Sequence, residues 1–249
     1  MLLRRITKHV VEQNWVAVGI DMLVVVMGIF LGFQLNSWKE DRQDAVKGES
    51  YLERIADELE QDIRFFDGVL RSNERGIENV QFLIETVDNE DLVREDPTRF
   101  ISSLATAGTS FVVNISNNTF EEIKFSGNLE IIADEELRNE IVDYYDFIEV
   151  TQTFNHLRIS AETEYQNRYT NILDPDHFVP FGSEVSYSEV DALPVYERFM
   201  QSPDIIGWLP IIINAKRGIV GFSTRSQQNA KDLLAKIRGD EVLAKDPVN

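Results

Sequence analysis

Residues 15–38 read WVAVGIDMLVVVMGIFLGFQLNSW, and the fold turns on how this stretch is read. From Trp15 to Phe33 it holds a single charged residue, Asp21. A helix of about 19 residues rises about 28 Å, close to the hydrocarbon thickness of a bilayer. Trp15 and Trp38 bracket the run, where interfacial aromatics sit. Three other readings fit less well. A cleaved signal peptide wants small residues at a processing site, and GFQLNSWKE offers none in that pattern. A buried core helix or an amphipathic surface helix shows a polar face, which Met22 to Phe33 lacks. Residues 15–38 are therefore expected to form a transmembrane helix surrounded by membrane lipid.

Working outward, residues 1–14 form a short basic tail, with Arg4, Arg5 and Lys8 against Glu12. Lys39, Arg42 and Lys47 follow the span at a similar distance, so Lys/Arg counting leaves the orientation open. A basic tail before an uncleaved apolar segment has the pattern of a signal anchor. The expected topology is a cytoplasmic N-terminus and a main domain outside, in the periplasm if the source is a bacterium.

The span carries features of a helix–helix contact. Gly28 and Gly32 are four apart, flanked by Gly19 and Gln34, and small residues at that spacing let two backbones approach closely. Asp21 lies about a third of the way in, where an ionised carboxylate costs a few kcal/mol unless it is paired or protonated. Asp21, Gly28, Gly32 and Gln34 are thus the expected contact residues, toward another transmembrane protein or a second copy of the chain. The competing reading for Asp21 is that it reaches the near interface.

The run IDMLVVVMGIFLGFQLNSWKEDR resembles the anchor of a bacterial family known only as a domain of unknown function. In that family an acidic residue opens an apolar stretch that closes in Gln-x-Asn-x-Trp; here these are Asp21, Gln34, Asn36 and Trp38. The acidic residue there is usually glutamate, so Asp21 departs from the pattern. A second stretch, NNTFEEIKFSGNLEIIADEELRNEIVDYYD, resembles the same family at Phe120, Gly127, Asn128, Leu129, Tyr144 and Tyr145. The resemblance implies a membrane-anchored helical protein and brings no reaction, substrate or cofactor; with the topology above, the expected location in a bacterium is the inner membrane.

Beyond the span, residues 39–239 read as one acidic, all-α domain, an elongated helical bundle, and 240–249 as a flexible tail. The chain's net charge is −19; the tail contributes +2 and Asp21 −1, so the part from Ser37 onward carries −20. Such a surface repels nucleic acid and anionic lipid headgroups; it would suit basic partners or cations, but a solubilising surface is the better reading. Leu52, Ile55, Leu59, Ile63, Phe66 and Leu70 make one helical stripe, with Glu53, Asp57, Glu60 and Asp62 assigned to the opposite face. No proline separates this helix from the span, although Gly48 could kink the join. A second helix is expected over 73–87, with Pro97 opening a short one through Leu104. Ala105 to Ser116, which contains AGTSFVVNIS, is the stretch that looks like strand or loop. Asn117 and Asn118 are expected to cap a short helix, Gly127 to end it and Asp134 to cap a long one. A loop around DPDHFVPFG, a moderately helical 187–200 and a last helix from about Ile211 to Arg238 follow. Ile205 to Ile213 is too short for a second span.

No constellation carries chemistry. The absence of cysteine rules out disulfides, thiolate metal sites and a cysteine nucleophile. Asp174, Asp176 and His177 read better as a turn around Pro175 than as metal ligands. Glu121 with Glu122, and Glu135 with Glu136, read as solvated first turns, and His156 with Ser160 is too weak for a nucleophile and base. Phe120, Tyr144 and Tyr145 read as core. No metal, cofactor or enzymatic activity is expected. The leading expectation is a membrane-anchored protein acting through protein contact, an accessory or assembly subunit; the alternative is a small-ligand sensor signalling through a partner.

Overall fold

The computed structural model describes residues 15–111, 115, 117–179 and 184–239, with the backbone alone for 15–18, 21 and 155–158. The two tails, part of the 105–116 stretch and of the proline-containing loop, and the side chains of Asp21 and His156 lie outside the described residues. Every regular element among the described residues is helical: α1 Trp15–Asp88, α2 Asp91–Glu95, α3 Pro97–Thr106, α4 Asn118–Phe125, α5 Glu135–Tyr169, α6 Glu189–Met200 and α7 Pro203–Arg238. Two 3-10 turns, Leu129–Ile131 and Pro175–His177, join them.

The frame is three long helices. The α7 helix returns antiparallel along α1: Glu60 meets Arg238 at 2.5 Å, Asp67 meets Gln227 at 2.7 Å, and Lys216 packs against Gly76. The α5 helix runs with α1, from Tyr144 beside Asp62 to Glu162 beside Lys216. Two cores result. The proximal one, nearer the apolar end of α1, joins Ile55, Leu59 and Phe66 to Phe120, Ile141, Tyr144, Tyr145 and Leu233. The distal one joins Leu83 to Phe100, Leu104, Tyr165, Phe199 and Leu209. The short helices α3 and α6 close the distal end, and α4 the proximal end.

Several local expectations hold for stated reasons. Asp134 accepts from the backbone of Glu136 and Leu137 at 2.9 and 3.1 Å, capping α5. Gly127 adopts φ 69°, letting Asn128 N donate to Ile123 O and Gly127 N to Lys124 O, both at 3.2 Å. Pro97 is at the first turn of α3. Phe120, Tyr144 and Tyr145 are buried.

Others are corrected. The 73–87 segment is not a separate helix: α1 continues through it, and Gly76 there leaves room for the Lys216 side chain. Helix α1 continues unbroken through Gly48. A Cβ at that position would lie 2.4 Å from the carbonyl oxygen of Ile131, so the glycine seats the 3-10 turn. Ala105 and Thr106 end α3, and among the described residues after them no strand forms: Gln166 donates to Gly108 O, Lys216 to Thr109 O and Asn73 to Phe111 O. Asn117 holds the N-cap position of α4 without a side-chain cap; Glu58 of α1 supplies the acceptor instead. The α7 helix starts at Pro203 and passes through Pro210. A mid-helix proline costs about 3 kcal/mol, and burying Ile205, Leu209 and Ile212 at about 1.5–3 kcal/mol each outweighs it. Asp62 is 6% exposed and faces the core. It sits three residues from Leu59 and four from Phe66, at the edge of the apolar stripe.

Candidate functional site

The first candidate surface is the free end of α1. From Ile20 to Leu35 the large apolar side chains are each 55–70% exposed, on every face of the helix. Asn36 to Lys47 are also exposed, and the first buried position is Gly48, about 20 Å beyond Leu35 along the axis. Helical geometry sorts the expected contact residues. At about 100° per residue, Gly28 and Gly32 fall within about 20° of Asp21, whereas Gln34 lies about 140° away. Three of the four therefore share a face and Gln34 does not. A Cβ at Gly28 or Gly32 would meet nothing within 4 Å, so that face is open. By length and composition α7 is also apolar enough to cross a membrane. It differs in that 39% of its most apolar window is buried, against none for α1. Burial within the bundle, more than shortness, sets it apart.

The second candidate is a carboxyl–tyrosine cluster in the proximal core. Glu58 Oε1 accepts from Thr119 N at 3.2 Å and Thr119 Oγ1 at 2.7 Å, and Oε2 accepts from Tyr145 OH at 3.2 Å. One turn along α1, Asp62 Oδ2 accepts from Tyr144 OH at 2.8 Å. Tyr145 stacks on Phe120 and meets Tyr144 edge-on. Burial pushes the Asp62 carboxyl up to about 7; the Tyr144 hydroxyl draws it down and the charge of Glu58 adds to the rise. Burial likewise raises both tyrosine hydroxyls, and the neighbouring carboxylates add to it.

Between the two cores lies a third cluster. Lys216, with no exposed surface, donates to Thr109 O at 2.7 Å and Ser110 Oγ at 2.9 Å, and meets Glu162 Oε1 at 3.5 Å. Ser110 also bonds Glu162. Burial lowers the Lys216 ammonium, and Glu162 opposes that shift. Asn73 donates to Val69 O and Phe111 O. Lys216 and Ser110 resemble a base and nucleophile in spacing, but the ammonium has no open face from which a substrate could approach.

The Asp174–Asp176–His177 turn is not assembled as a ligand set. Asp174 pairs with Arg198 at 2.7 Å, and its backbone N–H donates to His177 Nδ1 at 3.0 Å. Glu122 likewise turns to Arg54 and Tyr51. Glu58, Glu162 and Lys216 were not singled out from the sequence, and Asp62 was assigned to the solvent face. The available signal was spacing: Glu58 and Asp62 fall one turn apart beside an apolar stripe, and Lys216 interrupts one. Compared with family models, curated proteins and solved structures, the chain has no match.

Proposed function

We propose that this chain is a single-pass bacterial inner-membrane protein that works by contact with another protein. In this reading residues 1–14 are cytoplasmic, 15–38 cross the bilayer, and the acidic bundle stands in the periplasm. It is an accessory or assembly subunit with no chemistry of its own. One observation carries the reading: an apolar collar from Ile20 to Leu35 that nothing in the bundle covers. A patch of that size exposed to water marks a contact with lipid or protein. The resemblance of the Asp21 to Trp38 stretch to a membrane-anchored family supports it further. The shared face of Asp21, Gly28 and Gly32 supplies the contact within the membrane.

A reporter active only outside the cytoplasm, fused after Asn249, tests the topology. Activity is expected; activity of a cytoplasmic reporter alone overturns the orientation. Recovery of partner or cross-linked dimer in detergent tests the contact. Asp21→Asn loosens it, by about 1–2 kcal/mol at most, and Gly28→Ile with Gly32→Ile loosens it independently. Wild-type recovery from all of these variants leaves the span as an anchor only. The unbroken run of α1 from the collar to the distal core favours a second reading, a periplasmic small-ligand sensor that passes movement along α1 to a partner.

A further inference from the structure

We propose that Glu58 and Asp62 of α1, with Thr119 of α4 and the Tyr144–Tyr145 pair of α5, form a proton-operated latch. It holds α4 and the first half of α5 to α1 in acid and loosens as Asp62 loses its proton. The latch depends only on the fold and stands whichever functional reading is correct.

The geometry is asymmetric. Glu58 has three donors around its carboxylate and so caps the N-terminus of α4 from another helix, where α4 has no cap of its own. Asp62 has one donor, Tyr144 OH. With a proton on Asp62, the site holds one charge and the Tyr144 bond remains. Without it, a buried carboxylate at Asp62, with one donor, stands one helical turn from the half-buried charge of Glu58. Such an arrangement favours the neutral acid.

Among the described residues, no cation pairs with Asp62. From α1, Arg54 bonds Glu122 and also feels the charge of Glu58, and Arg64 lies beside Glu60. From α4, Glu122 turns outward to Arg54 and Tyr51, and Lys124 lies over Phe120 beside Glu121. From α5 the facing groups are the two tyrosines. From α7, Arg238 pairs with Glu60, Lys236 with Glu140, and Gln227 holds Asp67; Arg225 lies over Phe147. Among the described residues, no Lys or Arg forms an ion pair with Glu58 or Asp62.

The sign follows from linkage. Asp62 is raised in the closed bundle to about 7 and returns to about 4 when exposed. Opening is therefore least below pH about 4, rises about tenfold per pH unit up to pH about 7, and levels off above. The direction is opposite to that of an ion-paired carboxylate, which stabilises at neutral pH and fails in acid.

Hydrogen exchange on the full-length chain in mild detergent reads this directly, with rates corrected for intrinsic pH dependence. Between pH about 5 and about 7.5, amides of 118–125 and 135–148 lose protection by roughly 10- to 100-fold. Amides of α3 and α6, in the distal core, do not change. Asp62→Asn abolishes the dependence. Glu58→Gln removes the repelling charge, so the loosening is smaller and levels off at lower pH. Tyr144→Phe removes the donor, so the loosening extends to higher pH. These last two variants decide the matter even if Asp62→Asn fails to fold. The proposal is overturned if Asp62→Asn still titrates, if both cores loosen equally, or if Glu58→Gln and Tyr144→Phe leave the pH profile where it was.

Discussion

Replacing Gly48 by alanine sets two effects of opposite sign against each other. Alanine in a helix interior is favoured over glycine by about 0.5–1 kcal/mol. Gly68, on the same helix, shows that effect alone: it is exposed, and a Cβ there meets nothing within 4 Å. At Gly48 the added Cβ falls 2.4 Å from Ile131 O and 3.4 Å from Ile131 C. Backbone atoms cannot swing aside, so the 3-10 turn must retreat by about 1 Å to restore ordinary contact. That turn leads into Ile132, 1% exposed in the proximal core, whose carbonyl accepts from Arg138 at 2.8 Å. Overpacking of this kind costs about 1–3 kcal/mol, which exceeds the gain in propensity. In thermal unfolding of the full chain followed by circular dichroism, 1 kcal/mol corresponds to about 2–4 °C for a domain of this size. Gly68→Ala should raise Tm by about 1–4 °C, and Gly48→Ala should lower it by about 2–6 °C. If both raise it, the 3-10 turn is not seated on α1 and the packing of the proximal end is wrong.

Two further substitutions probe the rest of the domain by the same melting assay. Lys216→Met strands Glu162 in the interior and should cost about 3–5 kcal/mol, while adding Glu162→Gln should recover a large part of that loss; equal stability of the two variants removes the argument for a buried pair. Asp134→Ala takes away the acceptor for two backbone donors of α5 and should cost about 1 kcal/mol, with no loss meaning that solvent caps the helix equally well.

Features decided by local chemistry were the ones legible in the sequence. Asp134 caps α5 and Gly127 ends α4 because short-range hydrogen bonding and a positive φ select those residue types whatever surrounds them. The all-helical architecture followed from apolar spacing, and the exposed collar from its uninterrupted hydropathy. What escaped was decided by partners distant in the chain. Asp62 looks like a surface acid until Tyr144, 82 residues on, covers it. Pro210 looks like a boundary until the burial on either side of it is known. The 105–116 stretch looks like strand or loop because it lacks a helical apolar stripe, yet at its described residues Gln166, Lys216 and Asn73 take the carbonyls of Gly108, Thr109 and Phe111. The shared face of Asp21, Gly28 and Gly32 was readable from helical spacing, which also separates Gln34 from it.

The Lys216 cluster bears on why α1 and α7 adopt one register. Both helices carry long apolar stripes, and apolar contacts alone tolerate sliding by a heptad. Lys216 does not. Its stem lies 3.1 Å from where a Cβ of Gly76 would be, in space that glycine leaves free. A slip of one heptad would set Lys216 against Val69 or Leu83, side chains that fill the corresponding space. It would also carry the ammonium away from Thr109 O, Ser110 Oγ and Glu162. An ammonium buried without partners costs several kcal/mol, comparable to the whole stability margin of a domain. The same reasoning applies to Asn73, whose amide holds Phe111 O only when the loop after α3 lies between α1 and α7. The polar layer between the two cores thus penalises misaligned packings more than it strengthens the correct one. With register set there, the proximal end keeps a fixed alignment, and Glu58 and Asp62 meet Thr119, Tyr145 and Tyr144 at hydrogen-bonding distance.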